Sequence, residues 1–577
     1  LLSITTIILL STTITLLSIT TTITTFNMSA FNKVTSFYQF HTNGMDNFPL
    51  SLFDDESVNK KFGTLTLTTE KTEPIQVPLA IFFNVDCSAS MSDTCSDGRT
   101  KMQHIIHTLN NILRVFSKME NTECHIAVDV FDNDTKTIFD FTQITSTNVN
   151  TYIEMISGIY PNGSTDIEKS LINARTKINT YIEKNPTHKI VHIQLTDGDS
   201  TAGCNDPDKL LEIVDERYTN IFIGFGNTHN SHMLNTLASK KYGEYLFVDK
   251  IENAGFVYGE IVNNLVYSLI EDGYIEVEDC EIYDWNKNIW TNKLVIPKIA
   301  GDIKKTYHIR CDNIEDIDID IYGILIGSDT IELLCVADPL PDLIDFNTNI
   351  AEPNDLTQYM YRQKVQELLY VINEYNTKDK KTTNGGLWSN ISTPVKANNE
   401  NKTYKKMEIQ KNVKSLFSHL KTFRDSIEEK EKKQFIKVLM DDLYVSYKTM
   451  NSHTSHMYSC ARQTSQGRQY SYNVTNIGDE NNNFRMRRVS NGRTFNIQQT
   501  PFKRSANILC QCLDDEENEQ TLDINKKLKF DEYNEIFRED DIEDNYDEFD
   551  DFVLSQNTDT TYTSPSIVNM MRSVSQK

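Results

Sequence analysis

Apolar residues in the first half of the chain come in two alternating textures. Unbroken apolar runs of strand length read as strands buried on both faces: PLAIFFNVD at 78–86, CHIAVDVF at 124–131, KIVHIQLTD at 189–197, NIFIGFG at 220–226 and EYLFVD at 244–249. Between them the apolar positions fall at helical spacing. Over 101–119, Met102, Ile105, Ile106, Leu109, Ile112, Leu113 and Phe116 share one face. The same pattern predicts helices near 148–157 and over 166–183, 207–217, 231–240 and 252–270. Strands that alternate with helices need right-handed crossovers, hence a mostly parallel sheet covered on both faces. The predicted fold class is therefore α/β, a doubly wound domain spanning residues 75–272.

The flanks read differently. Within a lead-in covering 28–74, GTLTLTT at 63–69 alternates like an edge strand. From 273 to 345 short alternating runs (YIEVEDCEIYD, KLVIPKI, KKTYHIRC, DIDIDIYGIL, TIELLCVAD) predict a β-rich module, a small antiparallel sheet or sandwich. Helical spacing returns within 353–450, over 355–376 and 403–450, where Leu416, Phe417, Leu420 and Phe423 mark one face; 377–402 reads as a loop. Residues 451–577 are rich in Ser, Gln, Asn and Arg, then strongly acidic from 513 to 551. Such a composition buries too little apolar surface to offset ordering entropy, so a largely disordered acidic tail is expected.

Composition narrows the function classes. The chain has 577 residues, enough for two or three folded units plus tails. Its formal charge of −25 argues against nucleic-acid binding, which needs surplus Lys and Arg. Ten cysteines without paired spacing suggest reduced thiols in an intracellular, cytoplasmic setting, and Cys510-x-Cys512 lacks a second pair for zinc. Residues 1–27 are uncharged and built almost wholly of Leu, Ile, Thr and Ser. They are expected to be translated upstream sequence, with Met28 opening the folded protein; the alternative is a membrane anchor.

Two of the buried runs end in polar clusters. The first ends Asp86-Cys87-Ser88-Ala89-Ser90, placing a carboxylate and two hydroxyls at a strand's C-terminal edge, where open α/β sheets hold ligands. A Ser-rich turn is the plain alternative. Pro161-Asn162-Gly163-Ser164-Thr165-Asp166 then forms a turn opening a helix, and Thr196-Asp197-Gly198 ends a second strand. These three segments, in this order, resemble the von Willebrand factor A family: D-x-S-x-S, a Thr in a G-x-T turn, and an Asp in T-D-G. The resemblance covers about 200 residues and implies a Rossmann-like domain with a metal-ion-dependent adhesion site. It implies that Ser88 and Ser90 coordinate the metal, Thr165 does so directly or through water, and Asp86 and Asp197 hold waters and hydroxyls. All five donors are hard oxygens, which suits Mg²⁺ or Mn²⁺ and leaves room for an Asp or Glu of a protein partner.

Nearby residues are read with restraint. Asp93 lies where relatives hold a second metal, but Thr94 follows it; Asp199 reads as a helix-leading acid and Cys87 as a spacer. His104 and His107, and His229 and His232, form no H-E-x-x-H and are expected at surfaces or boundaries. No phosphate loop or nucleophile elbow is present, so a binding module is expected rather than an enzyme. A Mg²⁺-dependent hydrolase or phosphatase and a scaffold for the tail remain the alternatives. Ser459–Gln469 and the closing segment from Thr561 through Ser575 resemble parts of A-domain proteins of giant DNA viruses and some protists. They read either as docking peptides or as solvated tail.

Overall fold

The structure is a computed structural model, and it describes residues 33–42, 60–95, 97–119, 122–340, 354–383, 395–450, 452, 454–472 and 562–575. The leader at 1–27, the acidic run at 513–551 and Cys510-x-Cys512 lie outside these residues. Among the described residues no helix is long and apolar enough to cross a membrane.

The first two strands, β1 (Val34–Phe40) and β2 (Lys61–Thr69), pair antiparallel. The α/β domain follows. Its strands are β3 (Leu79–Asp86), β4 (Cys124–Phe131), β5 (Thr135–Gln143), β6 (Lys189–Thr196), β7 (Thr219–Phe225) and β8 (Gly243–Val248). Its helices are α1 (Lys101–Phe116), α2 (Val149–Ser157), α3 (Ile167–Lys184), α4 (Pro207–Leu211), α5 (Ser231–Leu237) and α6 (Ala254–Val266). The sheet order is β5-β4-β3-β6-β7-β8, parallel except for β5, which runs antiparallel to β4. Every residue of β3 is buried. Ala80 and Phe82 pack toward Ala174 and Ile178 of α3, and Phe83 meets Tyr258 of α6 with ring centroids 6.3 Å apart. That two-sided burial is why β3 is apolar throughout rather than alternating.

Three expectations change here. Strand β5 was not visible in the pattern, because only Phe139 is buried along it and the rest is partly or fully exposed, so its polar residues carry no clean period. The helix expected over 252–270 stops at Val266, and the chain leaves it directly as a strand at Ser268. The helix expected over 207–217 is one short turn, ending at Leu211.

Beyond α6 come β9 (Ser268–Glu278), β10 (Glu281–Asp284), β11 (Ile289–Thr291), β12 (Lys293–Ile296), β13 (Ile299–Ala300), β14 (Lys304–Cys311), β15 (Asp318–Leu325), β16 (Glu332–Val336) and β17 (Asp338–Pro339). They form two sheets, β11-β10-β14-β2-β1-β17 and β12-β9-β15-β16, with β13 on β9. Leu65, Leu67 and Ile309 from one sheet and Ile275, Val277, Ile319 and Ile321 from the other share one apolar core. The β-rich module is thus a sandwich, and it is not confined to 273–345. Strands β1 and β2 belong to it, and β2 lies in the interior of its sheet between β1 and β14 rather than at an edge. Its alternation reflects one face on the core, a pattern edge and interior antiparallel strands share. The α/β domain is therefore an insertion between β2 and β9.

The helical region holds α7 (Thr357–Thr383), α8 (Val395–Ser426), α9 (Lys430–Thr449) and α10 (Ser455–Arg468). The single periodic stretch at 403–450 is two helices broken at 427–429, and α7 and α8 both extend into the stretch read as a loop. The tail reading fails over α10. Arg462 is fully buried and ion-paired with the equally buried Asp442, whose Oδ2 also accepts from Gln466 Nε2 at 2.6 Å. Arg362, 1 % exposed, donates to Thr306 O at 2.9 Å and Gln466 O at 2.7 Å, tying α7, α10 and the sandwich together. These groups are polar by composition yet paired internally through the guanidinium NH groups, the Asp442 carboxylate and Gln466, which lets a Ser- and Gln-rich helix be buried.

The last described element, α11 (Pro565–Ser575), also departs from a solvated tail. Ile567, Met570, Met571 and Val574 are buried, and Asn111 Nδ2 of α1 donates to Val574 O at 2.9 Å. Close approach to α6 is possible because Gly255 and Gly259 face it: a Cβ on Gly259 would lie 2.5 Å from Met571 Cα.

Candidate metal centre

The chain leaves β3 toward β4 on one side and reaches β6 on the other, so the crevice between the C-terminal ends of β3 and β6 is the switch point of the sheet. Asp86 ends β3 and Asp197 follows β6. Asp86 is fully buried; its Oδ1 accepts from Ser88 N at 2.8 Å and its Oδ2 from Thr196 Oγ1 at 2.6 Å. The first bond folds the loop back on the strand end and turns Ser88 and Ser90 to the same side. Their hydroxyls lie 3.0 Å apart, and Ser90 Oγ donates to Asp197 Oδ1 at 2.7 Å. One hydrogen-bonded chain therefore runs from β3 to β6 across the crevice.

The Thr165 turn is fastened to the same loop through its backbone. Ala89 N donates to Gly163 O at 3.1 Å, and Asn162 N to Cys87 O at 2.7 Å. Gly163 has φ of 77°, and a Cβ there would meet Asn133 Oδ1 at 2.8 Å, so the turn requires glycine. Thr165 itself is buried, with its N–H on Thr201 Oγ1 at 2.9 Å and its carbonyl accepting from Thr201 N and Ala202 N. Asp166 caps α3 by accepting from Lys169 N.

Electrostatics sets this crevice apart from an ordinary polar turn. Burial pushes the Asp86 carboxyl up to about 6, against the pull of its bonds from Thr196 and Ser88; the nearby Asp197 adds to the rise. Two buried carboxylates at one crevice call for positive charge. Lys101, in the first turn of α1, supplies some: its Nζ lies 2.7 Å from Asp197 Oδ2 and 3.0 Å from Asp93 Oδ2. Burial alone would lower the Lys101 ammonium, but bonds and charge from Asp197 and Asp93 outweigh it and raise it. The helix start that places Lys101 is a capping box, with Thr100 N donating to Gln103 Oε1 and Gln103 N to Thr100 Oγ1.

Residues 81–199 match the von Willebrand factor type A domain family, a stretch that takes in β4 to β6, nearly all of β3 and the polar loops at the crevice. The chain contains an A domain. Domains of this kind are generally metal-dependent protein-interaction modules. The chain is 27% identical over 225 residues to inter-alpha-trypsin inhibitor heavy chain H3 of Mus musculus, a match taking in 37% of this chain and 24% of that protein. This chain thus corresponds to about a quarter of its relative's length. Among solved structures, a von Willebrand factor type A protein from Catenulispora acidiphila overlaps 75% of this chain and 96% of its own, at 12% identity and a TM-score of 0.42. Proximal thread matrix protein 1 from the mussel byssus, with a zinc-occupied MIDAS motif, overlaps 32% of this chain and 45% of its own, at 21% identity and a TM-score of 0.27.

All five sequence-derived residues lie at the A domain's crevice or in the turn fastened to it. The sequence reading did not include Lys101 or Thr196 among them. Thr196 is signalled only by its place in T-D-G, and Lys101 by nothing local. Asp93, largely exposed, is paired with Lys101 through Oδ2 at 3.0 Å. Asp199 is exposed and leads no helix; Asp206 is the residue that caps α4. Cys87 is buried and its thiol is pushed up to about 12, in keeping with a spacer. His104 and His229 prove buried rather than superficial. Asp97 Oδ1 lies 3.1 Å from His104 Nε2, and Tyr245 OH lies 2.7 Å from His229 Nε2; these bonds make their burial affordable.

Proposed function

We propose that this A domain is a cation-dependent protein-binding module. In this reading Asp86, Ser88, Ser90, Thr165 and Asp197 hold Mg²⁺ or Mn²⁺, and a carboxylate from a partner protein completes the shell. The observation that carries the reading is the hydrogen-bonded chain Ser88–Ser90–Asp197, which gathers hard oxygens from two strand ends beside two buried carboxylates. The donor set fits: two negative charges balance a dication, and neutral hydroxyls fill further positions without over-neutralising it. When bound, the cation supplies a fixed positive charge with a position open to an acidic ligand. The residues themselves orient the hydroxyls and keep Asp86 and Asp197 out of water.

The hydrolase alternative has less support. It would need the held cation to activate water, and the bonds of Ser88 and Ser90 to each other and to Asp197 fit a metal-holding loop without adding to that chemistry. Thiols at Cys87, Cys124 and Cys204 that form no disulfide suit the reducing, intracellular setting that is part of the same proposal.

Affinity capture with the full chain tests the reading. A partner should be retained in Mg²⁺ or Mn²⁺, lost in EDTA, and lost with Asp86→Ala. Capture indifferent to both chelation and mutation would overturn it, and turnover of small phosphate esters that vanishes with Asp86→Ala would favour the hydrolase.

A further inference from the structure

The opposite edge of the A-domain sheet carries a second cluster of donor atoms. Glu123 precedes β4, His125 is its second residue, and His188 immediately precedes β6. These strands flank β3 on either side, and Leu79 at its start is in register with both Cys124 and Lys189. Glu123 and His125, two apart, point to the same face of the sheet. Ala80, in register with His125, presents only a methyl group there, so the imidazoles of His125 and His188 meet across β3 with centroids 5.0 Å apart.

We propose that Glu123, His125 and His188 form a second metal site, for a zinc-class divalent cation, separate from the crevice at the other end of the strands. One donor atom from each residue lies within 4.8 Å of the other two. Glu123 Oε1 is 3.4 Å from His125 Nε2 and 3.7 Å from His188 Nε2. Tetrahedral zinc with bonds of about 2.0–2.1 Å sets its ligands about 3.3–3.4 Å apart, so the cluster is already close to the required spacing. Two imidazoles and a carboxylate suit zinc rather than magnesium, which takes oxygen donors.

Two further observations point to a ligand. The His188 side chain is only 8 % exposed, yet neither ring nitrogen has a hydrogen-bond partner. Leaving such buried nitrogens unpaired is costly, and a metal bond on one of them relieves it. His125 Nδ1 lies 2.6 Å from the Tyr181 hydroxyl of α3, which fixes the ring and leaves Nε2 for the metal. A metal-ligating histidine is held in this way by a partner on its other nitrogen. Glu123, with 46 % of its side chain exposed, opens the cluster to solvent and leaves a fourth position for water. Three protein ligands with an open position make an accessible site.

The test is zinc titration of the full chain by calorimetry in an Asp86→Ala background, which silences the first site. One equivalent of Zn²⁺ should bind, without competition from excess Mg²⁺. Glu123→Gln and His188→Ala should each weaken it at least tenfold, and Tyr181→Phe about tenfold. Co²⁺ should give tetrahedral absorption bands that His188→Ala abolishes. Glu123→Gln is half exposed, so the result survives if His188→Ala misfolds in a thermal-unfolding control. Loss of zinc binding through Asp86→Ala alone would assign the metal to the first site and overturn the proposal, as would full zinc affinity in Glu123→Gln. Neither outcome would overturn the reading of the first crevice as the cation-dependent protein-binding site.

Discussion

Lys101 Nζ lies 2.7 Å from Asp197 Oδ2, so the buried carboxylate beyond β6 is already neutralised by the first turn of α1. A divalent cation at the crevice would compete with that ammonium for the same charge. In Lys101→Met, Asp197 loses its counter-charge. Without metal the variant should lose about 1–3 kcal/mol, below the full cost for a wholly buried pair because Lys101 is 20 % exposed. With saturating Mg²⁺ it should recover most of that loss, and its Mg²⁺ affinity should rise several-fold. Thermal unfolding in EDTA and in Mg²⁺ checks both parts. An equal metal-induced rise in Tm for wild type and variant would refute the competition.

The seat of α11 makes a steric prediction. A methyl on Gly259 would lie 2.5 Å from Met571 Cα, a backbone atom that cannot rotate away. Gly259→Ala should therefore push α11 off α6 at a cost of about 1–3 kcal/mol, the usual range for overpacking. Trypsin cleavage after the exposed Arg572, followed by mass, should be faster in the variant. Unchanged cleavage would mean the helix tolerates the shift in place.

His192 on β6 gives a pH dependence. It is buried against Phe82 and Phe222, and burial pushes it down to about 4, only partly offset by its bond with Asn220. In the unfolded chain it titrates near 6.5. Between these values the unfolded state binds the extra proton, so this contribution is complete above about pH 6.5 and falls as pH drops toward 4. By pH 5 the stability lost amounts to about 2 kcal/mol. Urea unfolding at pH 7.5 and pH 5 should show wild type losing about that much more than His192→Gln. Equal losses would show that the ring protonates normally within the fold.

The α/β core was legible because its central strands are buried on both faces and its helices on one, and each condition leaves its own period in the sequence. The crevice was legible because its donors sit in three short segments, each next to a strand end or helix start. Lys101 escaped notice because a lysine in a helix's first turn looks like any solvated charge until the fold brings Asp197 beside it. His188 escaped for a similar reason, lying far along the chain from Glu123 and His125. The region beyond 451 misled in another way. Composition counts polar atoms without knowing whether they find partners, and in α10 the Arg462–Asp442 pair and the Gln466 bonds supply the main ones.

The insertion of the A domain between β2 and β9 also fixes an order of events in folding. Strand β2 pairs with β14, Thr68 opposite Lys304, so during synthesis it must wait until the whole A domain has emerged. Once folded, that domain brings its own ends together, with Ile75 N donating to Val266 O at 2.8 Å. The flexible loop of roughly 235 residues between β2 and β14 then becomes a link of about 45, which lowers the entropic cost of closing that pair by about 1–2 kcal/mol. Such long-range strand pairing is otherwise slow. A domain that folds first would thus draw the two halves of the sandwich together, and substitutions that slow its folding should also delay the pairing of β2 with β14.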